Sequence, residues 1–353
     1  MSAPIPALVL GGSGYVAGEL LRLIAAHPHF KLKAVMSDSR PGEPVAQAFP
    51  HLASTYGDTR FASQAAIENH IANLPAAAVF SAAPHGAAAS LIDALLTKAV
   101  QAGTRVRVVD ISADFRYRSA QAYESVYHQA HHAPMRIGEF TCALPEHLST
   151  LATEHVAHPG CFATATLLAA VPLVALKLAS PRLFVAGITG STGSGRKSVE
   201  GTHHPLRHSD LYAYNALAHR HAPEMQECVR AACGTDVDIA FVPHSGPFAR
   251  GIHVTVQAEL TAAHDSAHVL AALRSFYAAA PFVRILDQPP RMKDVVASNY
   301  AHLSAVTNGR TVAVFCVIDN LAKGAAGGAL QWMNRMFELP ETAGLTAPAP
   351  GWT

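Results

Sequence analysis

No run of residues in this sequence is long and apolar enough to cross a bilayer. The longest apolar stretch, residues 165–176, is too short and contains Pro172. Charge is sparse as well: charged residues make up 14% of the chain, the formal net charge is +1, and no long run of one sign occurs. A nucleic-acid binder carries a basic stripe, and none is present. The opening from Met1 to Leu10 lacks the basic n-region and long apolar core of a signal peptide. Cysteine is scarce and odd in number, at Cys142, Cys161, Cys228, Cys233 and Cys316. That count, without a secretory signal, argues against a disulfide framework and for thiols in a reducing, cytoplasmic compartment.

Metal motifs are missing too. The 21 histidines invite a metal hypothesis, yet there is no HExxH and no pair of CxxC motifs. The His203–His204 and His219/His221 pairs have no carboxylate or Cys partner at ligand spacing, so no metal is expected. What is there is globular, since half of the residues are hydrophobic, and 353 residues exceed what one core usually holds, so two domains are expected.

The first thirty residues carry the best local signal. Residues 7–10 read as a strand, Gly11-Gly12-Ser13-Gly14 as a tight turn, and Glu19, Leu20, Leu21, Leu23 and Ile24 have helical spacing up to His27-Pro28. Residues 32–36 read as the next strand. This strand–Gly turn–helix–strand unit opens a doubly wound sheet, and strands at 77–81 and 106–111 around a helix at 87–102 continue it. Residues 113–155 read as loops and short helices. After His158-Pro159 a strongly apolar helix covers 161–178. Strands follow at 185–189, 239–242, 252–259 and 312–318, with a helix at 269–279, which predicts an α+β domain on a mixed or antiparallel sheet. A last helix is expected near 325–337, and the Ala/Pro-rich tail after Leu339 is expected to be mobile.

A Gly turn at a helix start leaves backbone N–H groups for a pyrophosphate, and the helix dipole favours its charge. Gly11, Ser13 and Gly14 sit where that contact is made, with Ala17 as the third small residue. The second strand ends in Met36-Ser37-Asp38-Ser39-Arg40. Ser37, Ser39 and Arg40 suit a 2′-phosphate, while Asp38 suits the ribose hydroxyls of NAD. The balance favours NADP.

In His158-Pro159-Gly160-Cys161, Pro and Gly make a sharp entry into a helix whose first turn holds Cys161. A helix N-terminus favours thiolate over thiol, and its N–H groups suit an oxyanion. The other four cysteines read as small core residues. A thiolate beside a dinucleotide domain implies attack on an activated acyl carbon, then hydride reduction of the thioester. His219 and His221 in HRHAPE can supply an imidazole for the proton transfers.

With these residues in place, the chain resembles the N-acetyl-gamma-glutamyl-phosphate reductase family of arginine biosynthesis, in its type 1 form. The likeness runs from about Leu8 to Met336. It is carried by GGSGYVAGEL (11–20), APHGA (83–87), DISADFR (110–116), LPE (144–146), HPGCFAT (158–164), GSTGSGR (190–196), HRHAPE (219–224), FVPHSGPFARGI (241–252) and DNLAKGAAGGALQWMN (319–334). Such motifs are weak singly and specific in this order. The resemblance implies an NADP-binding Rossmann domain over 1–157, completed by a C-terminal helix from about Asn320 to the end, and a catalytic and oligomerisation domain over 158–319.

The resemblance also implies Cys161 as nucleophile, His221 as acid/base and His219 as substrate contact or understudy. Tyr15, Val16, Ser194, Gly195 and Asn320 join the cofactor contacts. Arg116, Arg196 and Glu224 join the substrate contacts, a guanidinium fork matching phosphate oxygens. It implies a small acyl-phosphate substrate and a homodimer or homotetramer. Three departures stand out: the order Ala17-Gly18, Phe162 where Tyr is common, and a segment at 199–208 with extra His and Arg. One alternative keeps the chemistry and takes a carrier-linked aminoadipyl or glutamyl phosphate, with Arg207 and His208 greeting an acidic carrier, or an aspartyl phosphate. A non-catalytic NADP-binding regulator would have no use for a reactive thiolate, and a metal-dependent hydrolase would carry metal when purified.

Overall fold

The first apolar run becomes strand β1 (Ile5–Leu10), and the turn after it ends in helix α1 (Tyr15–Ala25). Strand β2 (Phe30–Val35) follows in parallel beside β1. The computed structural model describes residues 3–352 and resolves into two units. The first unit holds the residues through Cys142, then Leu151–His158 and Ala329–Leu345; the second holds Ala143–Thr150, Pro159–Gly328 and the tail from Thr346.

The first unit adds α2 (Gln64–Ala72), β3 (Ala76–Ser81), α3 (Ala88–Ala102), β4 (Arg105–Asp110), α4 (Ala120–Tyr127), β5 (Phe140–Cys142) and β6 (His155–Ala157). Its sheet is parallel throughout, in the order β2-β1-β3-β4-β6-β5. The stretch read as loops and short helices holds the helix α4 and also the strand β5, and β6 begins at its end. Each of these strands has only three residues, too short to show an alternation of its own. Leu8 and Leu10 of β1 join Ile67 and Ile71 of α2 and Ile92, Leu95 and Leu96 of α3 in one buried cluster. Strand order reverses between β1 and β3, and that reversal opens a crevice at the carboxyl ends of the two strands.

The chain re-enters this unit at Ala329, so Asn320 stays with the second unit. Phe337 packs edge-on to Phe30, with ring centroids 5.8 Å apart. The segment expected to be mobile is fastened as far as Leu345, which is 2% exposed. Asn334 Nδ2 donates to the carbonyls of Glu341 and Ala343 at 3.2 and 2.9 Å, and Asn334 Oδ1 lies 3.0 Å from His27 Nε2. His27 Nδ1 accepts the Phe30 N–H, so its proton sits on Nε2 and is donated to Asn334.

The second unit contains α5 (Cys161–Ala175), β7 (Arg182–Thr189), β8 (Tyr212–Ala213), α6 (His221–Cys233), β9 (Asp238–Ser245), β10 (Ile252–Glu259), α7 (Ser266–Phe276), β11 (Val283–Ile285), β12 (Ala301–Asn308) and β13 (Thr311–Ile318). Its sheet runs β11-β12-β13-β10-β7-β9-β8 and is mixed: β7/β9 and β11/β12 are parallel and the other pairs antiparallel. From Phe162 to Val174 every residue of α5 is buried, so this helix is apolar all round because it lies in the core rather than on a surface. Gly187 on β7 makes this packing possible, since a Cβ there would lie 2.5 Å from the Phe162 ring. No helix of the described residues is long and apolar enough to cross a membrane.

Three buried histidines make the fold acid-sensitive. Burial holds His27, His155 and His219 down to about 4. Their unfolded-state value is the ordinary 6.5, so below it the unfolded chain binds protons that the folded chain refuses, and stability falls as pH drops from 6.5 towards 4. Asp110 acts in the opposite sense: burial and then Asp114 raise it from 3.8 to about 6, so its contribution is lost as pH rises through 6. Three histidines outweigh one aspartate in the shared window. The melting temperature is therefore expected to be lower at pH 5 than at pH 7.5, and equal melting temperatures would contradict these assignments.

Candidate active site

At the strand reversal, Gly11 has φ +72°, and a Cβ on it would sit 2.4 Å from the Ala83 nitrogen just past β3. Only glycine lets the turns after β1 and β3 touch here. Gly14 is the N-cap of α1, with no side chain capping the helix and no atom within 4 Å of where its Cβ would be. This is an open cradle of first-turn N–H groups that a pyrophosphate fits. Tyr15 and Val16 begin the helix on it. Gly18 lies under Phe49, whose ring a Cβ would meet at 2.7 Å, while Ala17 is buried, so the Ala17-Gly18 order suits a bulky neighbour.

Past β2, the Ser39 hydroxyl lies 3.3 Å from those of both Ser13 and Ser37, forming a row of three. Arg40 is close by and pairs with Glu43 at 3.2 Å, while Asp38 is exposed. These residues suit a phosphorylated ribose.

Arg116 is 5% exposed and donates from Nε to the His158 carbonyl at 3.0 Å and from Nη2 to the Ile111 carbonyl at 2.7 Å. The His158 N–H donates to the Asp110 carbonyl at 2.7 Å. The backbone at His158, which leads into Pro159, Gly160 and Cys161, is thus clamped on both of its polar groups. Asp114 ties APHGA to DISADFR: Oδ1 accepts from Gly86 N at 2.8 Å and Oδ2 from Ala89 N at 2.9 Å.

Cys161 is the first residue of α5 and Gly160 its N-cap, with no side chain capping the helix. The thiol is half-buried. The Gly160 N–H donates to Glu224 Oε1 at 2.6 Å, and Glu224 is fully buried. Since Glu224 lies in the first turn of α6, this bond ties together the starts of the helices that begin with Cys161 and His221.

His219 Nδ1 accepts the His221 N–H at 3.1 Å, and the two rings are 4.8 Å apart. Phe162, Tyr214 and Phe241 surround His219 at 6.0, 5.7 and 5.4 Å between centroids. Burial and then Arg220 pull it to about 4, so it is neutral at pH 7. Tyr214 was not singled out in the sequence. Burial pushes its phenol well above the usual range and Cys161 adds to the shift, which places the two within electrostatic reach. Tyr214, one of two tyrosines with Tyr212 just before HRHAPE, carries no spacing signal that would reveal this.

The loop after β7 places Ser194, Gly195 and Arg196 at the surface, with Gly195 at φ +83°. Asn320 is buried; its Oδ1 accepts the Gly251 N–H at 2.8 Å and its Nδ2 donates to Thr192 Oγ1 at 3.0 Å. Its side chain thus joins this loop to the start of β10. Asp319 and Arg250, also missed, form a two-pronged pair at 2.9 Å on each prong.

Comparison with known proteins gives the context for this geometry. Residues 6–157 match the model of the semialdehyde dehydrogenase NAD binding domain, and residues 161–320 that of the semialdehyde dehydrogenase dimerisation domain. The N-acetyl-gamma-glutamyl-phosphate reductases of Heliobacterium modesticaldum and Pseudomonas aeruginosa are 36% and 37% identical to the chain, covering 97% of it and 98% of their own length. The chain belongs to the N-acetyl-gamma-glutamyl-phosphate reductase family. Aspartate semialdehyde dehydrogenase II of Vibrio cholerae, solved with ASA, shares the fold of this family member at a TM-score of 0.68 and 14% identity, over 96% of this chain and 99% of that one. The Candida albicans aspartate semialdehyde dehydrogenase solved with NADP does so at 0.62 and 15%, over 95% and 99%. Among the described residues no cluster of His, Cys, Asp and Glu forms a metal site.

Proposed function

We propose that this chain catalyses the NADPH-dependent reduction of N-acetyl-gamma-glutamyl phosphate to N-acetylglutamate 5-semialdehyde and phosphate, in cytoplasmic arginine biosynthesis. The observation that carries the reading is the Gly160–Glu224 bond, which brings the start of the Cys161 helix to the start of the His221 helix. His221 takes the Cys161 thiol proton. The thiolate attacks the acyl carbon, the carbonyl oxygen becomes an oxyanion facing the uncapped first turn of α5, and the acyl–phosphate bond breaks with phosphate leaving. When bound, the dinucleotide supplies the hydride that reduces the thioester carbonyl carbon. The resulting thiohemiacetal anion collapses, the C–S bond breaks, the aldehyde departs and Cys161 is regenerated as the thiolate, His221 having passed its proton to the leaving phosphate.

Gly11, Ser13, Gly14, Tyr15 and Val16 hold the pyrophosphate. The row of Ser13, Ser37 and Ser39 hydroxyls with Arg40 supports NADP over NAD. Arg196 is the guanidinium we assign to the acyl phosphate, since Arg116 has donors committed to the carbonyls of His158 and Ile111. Glu224 acts by holding Gly160, and Asn320 by holding the loop that carries Ser194 and Gly195. Arg207, which an acidic carrier would need at the surface, is 7% exposed, and this supports the small substrate. A homodimer or homotetramer is supported by the half-exposed Phe184 and Val306 on the sheet of the second unit. All five cysteines are thiols rather than disulfides, in keeping with a reducing compartment.

The test is the reverse reaction. Purified protein with N-acetylglutamate semialdehyde is expected to reduce NADP⁺ only when phosphate is present, and faster than it reduces NAD⁺. Protein that binds NADPH but turns over aspartate semialdehyde instead would sink the substrate assignment and leave the thioester chemistry.

A further inference from the structure

A charged pair lies in the core of the second unit and takes no part in the chemistry above. Lys323 Nζ donates to Glu146 Oε1 at 2.5 Å, and both side chains are fully buried. Lys323 belongs to a π-helical turn, Ala322–Ala326, in which Gly324 N donates to the Asp319 carbonyl at 3.0 Å and Ala326 N to the Leu321 carbonyl at 2.8 Å. Such turns are rare and recur at functional sites. The backbone of this one rests on the nucleophile: a Cβ on Gly324 would be 2.8 Å from Cys161 Cβ and 3.1 Å from its Cα. Nothing larger than hydrogen fits between them, so a shift of the turn moves Cys161.

We infer that the Lys323–Glu146 pair is a positioning device, holding the π turn against Cys161 and so fixing the thiol at the start of α5. This rests on the reading of Cys161 as nucleophile. The turn is gripped at two points. At its front, Asp319 Oδ1 accepts from Leu321 N and Ala322 N at 2.8 and 2.7 Å, with Arg250 bracing the carboxylate. Further along, Lys323 reaches the short turn Pro145–His147, which is itself fastened to the nucleophile helix. His147 Nε2 lies 2.9 Å from the Tyr277 hydroxyl, and that hydroxyl donates to the Leu168 carbonyl of α5 at 2.7 Å. Glu146 therefore stands on a platform built on the same helix that Gly324 presses. Stability does not account for the pair, because apolar side chains of similar volume usually replace a buried ion pair at no loss. A fixed distance between two backbones is what it provides.

The experiment uses full-length Gly324→Ala and the double variant Lys323→Met/Glu146→Leu, with iodoacetamide alkylation of Cys161 in the resting protein followed by mass spectrometry beside kcat and KM. Both variants are expected to lower the alkylation rate and kcat together by about tenfold or more, with KM within about twofold. The double variant should keep the wild-type melting temperature. Gly324→Ala retains both charges, so agreement between the two variants separates position from charge. If Gly324→Ala does not fold, the double variant carries the test. Wild-type alkylation in a folded variant overturns the inference, whether or not kcat has fallen. Failure of the nucleophile reading is visible separately, as turnover that survives Cys161→Ala.

Discussion

Cys161→Ala is expected to lower turnover by about 10⁴-fold or more while NADPH binding persists, as loss of a covalent nucleophile does in other enzymes. The size follows from the mechanism. Without sulfur there is no thioester, and the hydride acceptor is never formed. The helix start and its N–H groups remain, so the residual rate measures binding and oxyanion stabilisation alone. Cys161→Ser should fall in the same direction, since the hydroxyl is a far weaker nucleophile at neutral pH. Cys142→Ser is the control: that thiol lies on β5 of the first unit, and the change should leave kcat within about twofold. Cys316 is fully buried and its thiol is pushed far above its usual range, so it offers no competing thiolate. Wild-type turnover by Cys161→Ala would end the thioester mechanism. Loss of NADPH binding in that variant would show that the substitution had damaged the fold and would call for the serine variant instead.

The parts of the fold that were legible in the sequence have a period. A strand is expected at 252–259 and β10 has the same bounds, its apolar Ile252, Val254, Val256 and Ala258 buried and the residues between them partly or fully exposed. The start of α5 was legible from chemistry of another kind, because Pro159 and Gly160 force an entry that puts Cys161 first. What stayed hidden has no period. The pairing of β5 with β6 is read only once β6 lies beside β4. β12 was missed although it is as long as β10, because its Ser, Thr and His residues mask its alternation. The same division holds in the candidate site. Cys161 and His221 announce themselves by motif. The contact of Gly324 with Cys161 and the 5.7 Å approach of Tyr214 to His219 arise from tertiary packing between distant segments. Arg116 is a further case: two of its donors serve the carbonyls of His158 and Ile111, contacts that no motif displays.

His221→Asn should lower kcat by about 10²- to 10⁴-fold, the usual worth of a positioned acid/base, and remove one limb of the pH profile. His219→Asn should lower it less and leave that limb in place. The two residues differ in surroundings rather than in type. His219 is wedged among Phe162, Tyr214 and Phe241, and its Nδ1 is engaged by the His221 N–H. With its pKa at about 4 it carries no extra proton to give at pH 7. Its replacement should therefore appear mainly as a loss of stability, with the His221 backbone losing an acceptor that the Asn amide oxygen only partly replaces. His221 opens α6 and shares that helix start with Glu224, which is bonded to the residue before Cys161. Profiles of kcat/KM against pH for the two variants decide between them. If the limb vanishes in His219→Asn and survives in His221→Asn, the roles are exchanged, and the neutral ring in its aromatic cage must gain its proton only when substrate is bound.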